Sequence, residues 1–210
     1  MCRIILATHN KNKVNEMRYA LKDLNHQIVT LDELGITHDV EEPYETLEEN
    51  SFEKALDASK YISSGIIVSE DSGFYVEAMG GKPGVYSARY LKCLSEEDRN
   101  KAILEQVDAI NRCNLKNNRN CYYAGVMTVL HKAEDGMCYS VQVRESCSGQ
   151  LSYSVRGLHG FAYDSIIIPN GTNKTLAEMI PEEQTNYKHR YKLMKTLKDI
   201  ISNLGKWGLE

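Results

Sequence analysis

The chain lacks several features that would place it in a simple class of protein. Its 210 residues contain no apolar stretch near the roughly 20 residues that span a bilayer, so no membrane partner is expected. A formal net charge of −4 gives no basic field for a nucleic acid polymer, although a single nucleotide remains an acceptable ligand. The six cysteines show no CxxC pair and no Cys/His spacing typical of zinc, which indicates reduced thiols in a cytoplasmic protein. The apolar run near the N-terminus is too short for a signal peptide and is interpreted as the first strand.

Composition and hydrophobic periodicity predict a single α/β domain covering residues 1–210. An apolar content of 42% against a charged content of 26% is typical of a globular protein, and no repeat or low-complexity linker divides the chain. The predicted order is strand, helix, helix, strand, helix, an antiparallel meander with one more strand, and a last helix. The strands are placed at 4–7, 66–69, 121–130, 138–145, 151–155 and around 165–168, and the helices at 13–24, 46–62, 95–111 and from Pro181 onward.

Two of the helix starts carry a capping-box spacing, Thr46 with Glu49 and Thr175 with Glu178. The helix that follows Thr46 is predicted to turn Asn50 away from the core, together with Lys54 one turn later. Its apolar face is predicted to comprise Phe52, Ala55, Leu56, Ser59 and Ile62, and that of the last helix Met194, Leu197, Ile201 and Leu204.

Two adjacent acids, Glu70 and Asp71, follow the apolar run at 66–68 and precede Ser72 and Gly73. This pattern indicates a buried strand that delivers carboxylates to its exit, where open α/β sheets keep their ligand crevices. Paired carboxylates there could hold a hard cation such as Mg²⁺, which prefers oxygen ligands. The alternative is that the two acids simply open an ordinary Asp-Ser-Gly turn.

A polar loop, Thr8 to Lys13, connects the first predicted strand to the first predicted helix. A helix N-terminus presents unpaired N–H groups and favours anions, and the lysines of the loop add positive charge. The loop has no glycine and is therefore not a Walker loop. The alternative is an Asn-rich turn with solvated lysines.

Three other segments carry groups that could take part in chemistry, each with an ordinary explanation beside it. Glu42 belongs to an acid cluster between residues 39 and 53, most of which must be solvated. Residues 160–164 offer aromatic rings and an acid that suit a nucleobase, or else fill the core. Residues 188–190, Lys-His-Arg, offer hydrogen-bond donors to a carbonyl group, or else form a solvated basic face.

The order and spacing of these segments match one family over nearly the whole chain. The chain resembles the inosine/xanthosine triphosphate pyrophosphatases, whose T-x-N-x-x-K loop is matched at 8–13 and whose E-N-A-x-x-K-A helix is matched at 49–55. The longest match is gapless, from Glu70 to Tyr90, against D-D-S-G-L-x-V-x-A-L-G-G-x-P-G-V-Y-S-A-R-Y. The G-F-G-Y-D-P, A-E-L and S-H-R motifs of the family are matched at 160–165, 177–179 and 188–190.

The resemblance implies an enzyme that hydrolyses non-standard purine nucleoside triphosphates to monophosphate and pyrophosphate. It implies that Thr8, Asn10 and Lys13 hold the triphosphate, that Glu42 and Asp71 hold Mg²⁺, and that Asp71 accepts the proton of the attacking water. The other positions implied to contact substrate, mostly around the base, are Ser72, Phe161, Tyr163, Asp164, Gln184, His189 and Arg190. The implied fold is an elongated mixed β-sheet flanked by helices, with two lobes around a central cleft, in a homodimer.

Four departures from the family pattern fall in the segments that would recognise the base or the phosphates, and a fifth is Glu70, which stands where the family has the first aspartate of its D-D pair. Gln184 stands where the family has lysine in E-E-K, and Lys188 stands where it has serine in S-H-R. Ala162 replaces a glycine and Ser165 a proline in the G-F-G-Y-D-P motif. The metal site is therefore predicted to be intact. The base is open between a non-standard purine and another modified or pyrimidine nucleotide, and a nucleotide-binding regulator without turnover is a third, weaker reading.

Overall fold

A computed structural model describes residues 3–203 of the chain, and these residues form a seven-stranded mixed sheet with α-helices packed against it. The strand order is β2-β1-β3-β5-β6-β7, with β4 paired to β3. Strand β1 is parallel to both β2 and β3, whereas β3–β4 and β6–β7 are antiparallel. The strands are β1 (Arg3–Leu6), β2 (Gln27–Thr30), β3 (Gly65–Val76), β4 (Pro83–Gly84), β5 (Asn120–Lys132), β6 (Cys138–Leu151) and β7 (Ile167–Pro169). The predicted mixed sheet with flanking helices is confirmed.

Three of the longer helices, α1, α2 and α3, begin where the sequence provides a side-chain cap. Asn10, Thr46 and Ser95 each accept a hydrogen bond from a backbone N–H of the first turn, which satisfies donors that a helix leaves unpaired. Thr175 and Glu178 form the predicted capping box, although it opens a short 3₁₀ helix, Leu176–Glu178. The α-helices are α1 (Lys11–Leu21), α2 (Leu47–Ser59), α3 (Glu96–Asn114), α4 (Pro181–Gln184) and α5 (His189–Asn203).

Several predicted element bounds are wrong, and each error has a physical cause. Strand β3 does not end at the acids but continues through them to Val76, because the two carboxylates have partners in the interior. Pro181 opens the short helix α4 rather than the last helix. The predicted strand 138–145 extends to Leu151 as β6, and residues 152–155 of the other predicted strand lie outside any strand. Strand β2 was not predicted because it is short and mostly only half-buried, so its apolar signal is weak. The predicted apolar position Leu204 lies outside the described residues.

The buried face of α2 also differs from the prediction. Phe52 and Leu56 are 38% and 37% exposed, whereas the polar residues Asn50 and Ser51 are buried. The predicted positions Ala55, Ser59 and Ile62 are buried as expected. The buried face is rotated toward Asn50 and Ser51 because the sheet beneath this helix is lined with hydroxyl and carboxylate groups that need polar partners.

The described residues divide into two compact units. The first comprises residues 3–71, 125–145 and 190–203, and the second comprises 72–124 and 146–189. The prediction of a single domain with a cleft stays a prediction. Within residues 3–203, no helix is both long enough and apolar enough to cross a membrane. None of the five cysteines in that range is part of a disulfide.

The first unit has apolar cores on both faces of its parallel strands. Ile66 and Val68 of β3 pack with residues of α1 and α5, and the intervening Ile67 packs with Ala55 and Ala58 of α2. Side chains alternate across a strand, so an uninterrupted apolar run is what a sheet covered on both faces requires. This alternation decides which helix each of the two following acids meets.

The second unit has its own core, built around aromatic rings. Phe74 stacks on Tyr163 with ring centroids 4.7 Å apart and an interplanar angle of 13°, and Tyr123 lies against Phe74 at 5.0 Å. Helix α3 contributes Ile103 and Val107 to the same core.

Candidate active site

Glu70 and Asp71 lie on opposite faces of β3, and both are buried. Glu70 shares its face with Ile66 and Val68 and therefore meets α1 and α5, whereas Asp71 shares the face of Ile67 and meets α2. The two adjacent acids consequently belong to two different groups of charges within the first unit.

Glu70 forms a buried ion-pair network with Lys13 and Arg190. The Lys13 Nζ lies 2.9 Å from Glu70 Oε2 and donates to the Glu70 carbonyl oxygen at 3.2 Å. The Arg190 guanidinium donates to both carboxylate oxygens of Glu70, from Nε at 3.3 Å and from Nη2 at 3.2 Å, and its Nη1 pairs with Glu16. The Glu70 side chain is fully buried, so these cations supply the compensation that a buried carboxylate needs.

The pKa values of the two cations in this network are shifted in opposite directions. Burial lowers the pKa of Lys13, and although Glu70 opposes this, nearby Lys54 and Arg190 reinforce it. Burial also acts to lower the pKa of Arg190, but the carboxylates of Glu70 and Glu16 outweigh it, so that pKa is raised. Arg190 is thus a permanent cation held among carboxylates, whereas the lowered pKa makes Lys13 the easier of the two to deprotonate.

Asp71 and Glu42 are joined by the ammonium group of Lys54. The Lys54 Nζ lies 2.9 Å from Asp71 Oδ1 and also contacts Glu42 Oε1. Burial acts to lower the pKa of Lys54, but Asp71 and Glu42 more than offset it, and the pKa is raised. Asn50 completes the group, because its amide exchanges hydrogen bonds with Tyr44 at 3.2 and 3.1 Å and also approaches Asp71 Oδ2 at 3.5 Å.

The Glu42–Asp71 pair has the donor chemistry of a magnesium site. The two carboxylates already stabilise one cation between them, because the Lys54 ammonium contacts an oxygen of each. Mg²⁺ is typically held by one or two protein carboxylates, with waters and substrate phosphates filling the other positions. Among residues 3–203, no group of three or more His, Cys, Asp and Glu could hold a metal by itself. The residues present therefore fit a metal ion shared with substrate.

A network of hydroxyl groups fixes α2 on β3. Ser51 Oγ lies 3.2 Å from Ser69 Oγ and 2.9 Å from Thr128 Oγ1, and Gln142 Nε2 donates to the same Thr128 oxygen at 2.9 Å. These bonds set the register between the helix that carries Lys54 and the strand that carries Asp71.

The loop before α1 is ordered by its own side chains. Asn10 Oδ1 accepts hydrogen bonds from the backbone N–H groups of Asn12 and Lys13 at 3.0 and 3.2 Å, and Thr8 Oγ1 accepts from Asn10 N at 3.2 Å. Two of the N–H groups that were expected to meet an anion are therefore engaged within the loop. The binding of triphosphate by Thr8, Asn10 and Lys13 stays a prediction.

The predicted base-contact residues divide between the two units. Arg190 belongs to the first unit, with Glu70 and Glu16, whereas Ser72, Phe161, Tyr163, Asp164, Gln184 and His189 belong to the second. Ser72 is half-buried in β3. The His189 ring stacks on Tyr123 with centroids 5.2 Å apart.

Tyr163 is a core residue. It is 1% exposed, it stacks on Phe74, and its hydroxyl donates to the Ser87 carbonyl at 2.7 Å. Burial raises the pKa of Tyr163 to about 12, so the phenol stays protonated. The structure places this ring where the alternative explanation of the motif had it, in the core.

Phe161 and Asp164 line a cavity of about 200 Å³ in the second unit. Asp164 Oδ2 accepts a hydrogen bond from Phe161 N at 2.9 Å and lies 2.7 Å from the Nζ of Lys188. The Lys188 ammonium is 5.2 Å from the centroid of the Phe161 ring. Gln184 is buried, and its amide donates to the Leu176 and Met179 carbonyls at 2.8 and 3.2 Å.

The sequence prediction missed three members of these groups. Lys54 lies in a matched motif but was not assigned to the site, Glu16 was not singled out, and Lys188 was treated as a departure from the family. The signal for Lys54 was its i,i+4 spacing from Asn50 on the same helix. Glu16 lies on α1 one turn beyond Lys13, so its shared face could also have been read from the sequence.

Comparison with solved structures shows which class of protein has this fold. The fold is similar to that of a HAM1 protein from Coxiella burnetii, with a TM-score of 0.83 and 27% identity over 97% of this chain and 100% of that one. It is also similar to the Ham1 protein of Staphylococcus aureus, with a TM-score of 0.77 and 26% identity over 96% and 98% of the two chains.

The sequence gives the same result and identifies the family. The model of the Ham1 family matches residues 4–200, and the chain belongs to that family. It is 34% identical over 202 residues to a dITP/XTP pyrophosphatase of Caldanaerobacter subterraneus subsp. tengcongensis, with 96% of each chain covered. It is 31% identical over 201 residues to a dITP/XTP pyrophosphatase of Bacillus subtilis, with 96% of this chain and 98% of that one covered. The resemblance drawn from the motifs is confirmed.

Proposed function

We propose that the protein is a nucleoside-triphosphate pyrophosphatase that hydrolyses dITP, ITP and XTP to the monophosphate and pyrophosphate, removing these nucleotides from the cellular pool. Relatives named dITP/XTP pyrophosphatase align with nearly the whole chain. The observation that carries the proposal is the grouping of Glu42, Lys54 and Asp71 in one unit with the Lys13–Glu70 pair. The two groups of charges, on the two faces of β3, together offer carboxylates for a metal and ammonium groups for phosphates. Lys54 and Asp71 are close enough to Lys13 to influence its pKa, and the two groups together are called the charge cluster below.

The formal charge of the cluster explains why a metal would be needed. Lys13, Lys54 and Arg190 supply three positive charges, and Glu16, Glu42, Glu70 and Asp71 supply four negative ones. The cluster therefore carries −1 without a metal, which opposes the binding of a triphosphate. A divalent cation would change this to +1. Mg²⁺ held by Glu42 and Asp71 would supply charge neutralisation for the phosphate oxygens and the leaving pyrophosphate.

The residues of the chain have separate roles in the proposed reaction. Asp71 accepts the proton of the attacking water, since a buried carboxylate is acceptor-only and has no donor of its own when ionised. As the oxygen of water bonds to the α-phosphorus, the bond from that phosphorus to the bridging oxygen breaks, and pyrophosphate leaves with the electron pair. Lys54 moves from the carboxylates to the phosphates when substrate arrives, and Lys13 neutralises charge that develops on the leaving group. Thr8 and Asn10 hold the phosphate chain at the start of α1.

A second candidate keeps the reaction and changes the base. Ala162, Ser165, Gln184 and Lys188 differ from the family pattern, and Lys188 pairs with Asp164, a predicted base-contact residue. A refitted pocket could select another modified or pyrimidine nucleotide. The intact Glu42–Asp71 pair disfavours a regulator without turnover, because a protein that only binds has little use for a proton-accepting acid beside a metal.

The test is pyrophosphate release from ITP, dITP, XTP, GTP, ATP and dUTP in the presence of Mg²⁺. We expect kcat/KM for ITP, dITP and XTP to exceed that for ATP by roughly 10- to 100-fold, with pyrophosphate rather than orthophosphate as product. Asp71→Asn serves as the inactive control on the same substrates. A preference for dUTP would support the second candidate. No pyrophosphate from any of the six would support the regulator.

We also propose a homodimer located in the cytoplasm, as the family resemblance implies. Sedimentation velocity at several protein concentrations tests the dimer. A single species at the mass of one 23.8 kDa chain throughout would contradict it.

A further inference from the structure

The two carboxylates of the proposed metal site are carried by different kinds of backbone. Asp71 lies in β3, whereas Glu42 lies in residues 37–46, which form neither a helix nor a strand and are called the Glu42 segment below. The Glu42 side chain is 32% exposed, and that of Asp71 is 7% exposed. A metal ligand must be held to within about 0.5 Å of its productive position, so the anchors of this segment decide where Glu42 can bind a metal ion.

One anchor of the Glu42 segment lies just beyond Glu42. The side-chain amide of Asn50 accepts a hydrogen bond from Tyr44 N at 3.2 Å and donates one to the Tyr44 carbonyl at 3.1 Å. Before the segment, Ile36 is buried in the apolar core that α2 covers. Residues 37–41 separate Ile36 from Glu42, and an extended chain of that length spans about 15–20 Å. The core contact of Ile36 therefore leaves the position of the Glu42 carboxylate open.

His9 supplies a second anchor, at residue 38, from the loop that precedes α1. Its Nε2 lies 3.0 Å from the His38 carbonyl oxygen, and its Nδ1 lies 2.7 Å from Asp32 Oδ1. A backbone carbonyl can only accept, so His9 donates to it through Nε2. The Asp32 carboxylate orients the ring from the other side, and both acceptors are satisfied together when both ring nitrogens carry hydrogen. The loop 8–13 is thus joined directly to the Glu42 segment.

The side chain of His38 continues this connection to α2. Its Nε2 lies 2.6 Å from Asp57 Oδ2, and its ring centroid is 5.0 Å from that of Tyr61. Burial acts to raise the pKa of Asp57, but hydrogen bonds from His38 and Lys60 outweigh it, so that pKa is lowered. Asp57 lies on α2 one turn beyond Lys54. Residue 38 is therefore held through its carbonyl by the loop 8–13 and through its ring by the helix that carries Lys54.

We propose that His9 is a positioning residue of the reaction. Through the His38 carbonyl it fixes the Glu42 segment, and with it the carboxylate of Glu42 beside Asp71. The inference rests on the proposed function, in which these two carboxylates share a metal ion. The family motif T-x-N-x-x-K leaves the position of His9 open, so the residues of the motif do not by themselves make this connection.

A positioning role and a merely structural role for His9 have different consequences. The side chains of His9 and Asp32 are 23% and 60% exposed, and exposed ion pairs contribute little to global stability. Loss of His9 should therefore free the Glu42 segment while the protein stays folded. A positioning residue changes the affinity of the metal site and leaves the rate of the saturated enzyme and the Tm nearly unchanged, whereas a structural residue changes the Tm and leaves the metal affinity unchanged.

The test compares His9→Ala, His9→Asn and His9→Gln. The Gln amide reaches about as far as Nε2 of histidine and can keep the bond to the His38 carbonyl, whereas the Asn amide reaches only as far as Nδ1 and can keep only the contact with Asp32. The matched control is Arg18→Ala. It removes an exposed ion pair, that of Arg18 with Glu33, from the same 3₁₀ helix, Asp32–Leu34, that carries Asp32.

Two of the measurements need no turnover. Hydrogen exchange in peptides covering residues 37–46 of the metal-free protein shows whether the Glu42 segment is fixed. Mn²⁺ binding, followed by electron paramagnetic resonance without nucleotide, gives the affinity of the metal site. The third measurement resolves pyrophosphate release from ITP into the Mg²⁺ concentration at half-maximal rate and the rate at saturating Mg²⁺.

His9→Ala and His9→Asn should speed exchange in the Glu42 segment by roughly threefold or more. Both should also raise the Kd for Mn²⁺ and the half-saturating Mg²⁺ concentration by roughly 10-fold, with the saturated rate within about threefold of wild type. His9→Gln and Arg18→Ala should stay within about twofold of wild type in every assay. If even the wild type releases no pyrophosphate, the proposed function fails, while exchange and Mn²⁺ binding still decide the role of His9. Wild-type exchange and Mn²⁺ affinity in His9→Ala, or a loss in His9→Gln as large as that in His9→Asn, would overturn the proposal.

Discussion

The loop that carries Phe161 and Asp164 contains a residue in a conformation that its side chain disfavours. Ala162 has φ +57°, in the left-handed region, where the family motif has glycine. Hydrogen bonds on both sides fix this conformation, because Ala162 N donates to Glu96 Oε2 at 3.0 Å and its carbonyl accepts from Asn100 Nδ2 at 2.8 Å. Ala162→Gly should therefore keep the geometry and remove the strain.

The magnitude follows from two opposing contributions. Left-handed backbone costs a residue with a Cβ about 1–2 kcal/mol. Glycine adds flexibility to the unfolded chain, which offsets about 0.4–1 kcal/mol of that gain. The net expectation for Ala162→Gly is a stabilisation of about 1 kcal/mol, or roughly 2–4 °C in Tm for a chain of this size.

Gly160, two residues earlier, provides the matched opposite change. Its φ is +81°, and a Cβ built on it would lie 2.2 Å from Asp164 Oδ2 and 3.0 Å from Asp164 Cγ. Gly160→Ala should thus add strain and also displace a carboxylate that Phe161 N and Lys188 hold, at a cost of roughly 3 kcal/mol or more. Urea denaturation of both variants tests whether Ala162→Gly raises and Gly160→Ala lowers the free energy of unfolding. A midpoint for Ala162→Gly below that of the wild type would refute the reasoning on backbone strain.

Three further predictions concern the charge cluster of the first unit. Asp71→Asn should lower turnover by roughly 100-fold or more with little loss of stability, whereas Glu70→Gln should cost about 3 kcal/mol of stability because it leaves two buried cations undercompensated. Pyrophosphate release and urea denaturation separate the two, and equal effects of both variants in both assays would contradict the division of roles. Protein treated with EDTA and freed of chelator should be inactive until Mg²⁺ is added. Full activity without added metal would contradict the inference that the negative charge cluster needs a divalent cation to bind a triphosphate. On the alkaline side of its pH profile, kcat/KM should decline with a midpoint below pH 10.5, the ordinary pKa of a lysine. The reason is that the pKa of Lys13 is lowered, and its ammonium loses a proton as the pH rises through the lowered pKa. Lys13→Arg should move that decline to higher pH, and a decline at the same pH in this variant would remove Lys13 from its origin.

The sequence predicted the parts of the fold that depend on local signals. Strand β1 was located within a few residues because its apolar run is continuous. Helices α1, α2 and α3 were located equally well because each combines apolar periodicity with a capping residue such as Thr46 or Ser95. The course of β3 through its acids could not be predicted, since that depends on Lys13 and Arg190, which lie far away in the chain. A local rule read the acids as the end of the strand, while tertiary compensation let the strand continue.

The sequence likewise predicted only part of the candidate site. Family motifs located Asp71 and Glu42, and the structure brings both to one cation, that of Lys54. The motifs could not say that Tyr163 fills the core, because an aromatic residue in a binding motif and one in a core look alike in sequence. Nor could they assign Lys188, for which only the position of Asp164 in space reveals a partner.

The different fates of Glu70 and Asp71 follow from strand geometry. Neighbouring residues of a strand point to opposite faces, so the two acids cannot serve one site through the same contacts. Glu70 is fully buried between cations of α1 and α5, which makes it a poor ligand for any exchangeable partner. Asp71 faces Lys54, and in the proposed reaction a metal ion would take the place of that ammonium, which would then contact a phosphate. An acid pair in this motif therefore divides its functions. Glu70 holds α1 and α5 through Lys13 and Arg190, and in the proposed reaction Asp71, the next residue along the strand, would accept the proton.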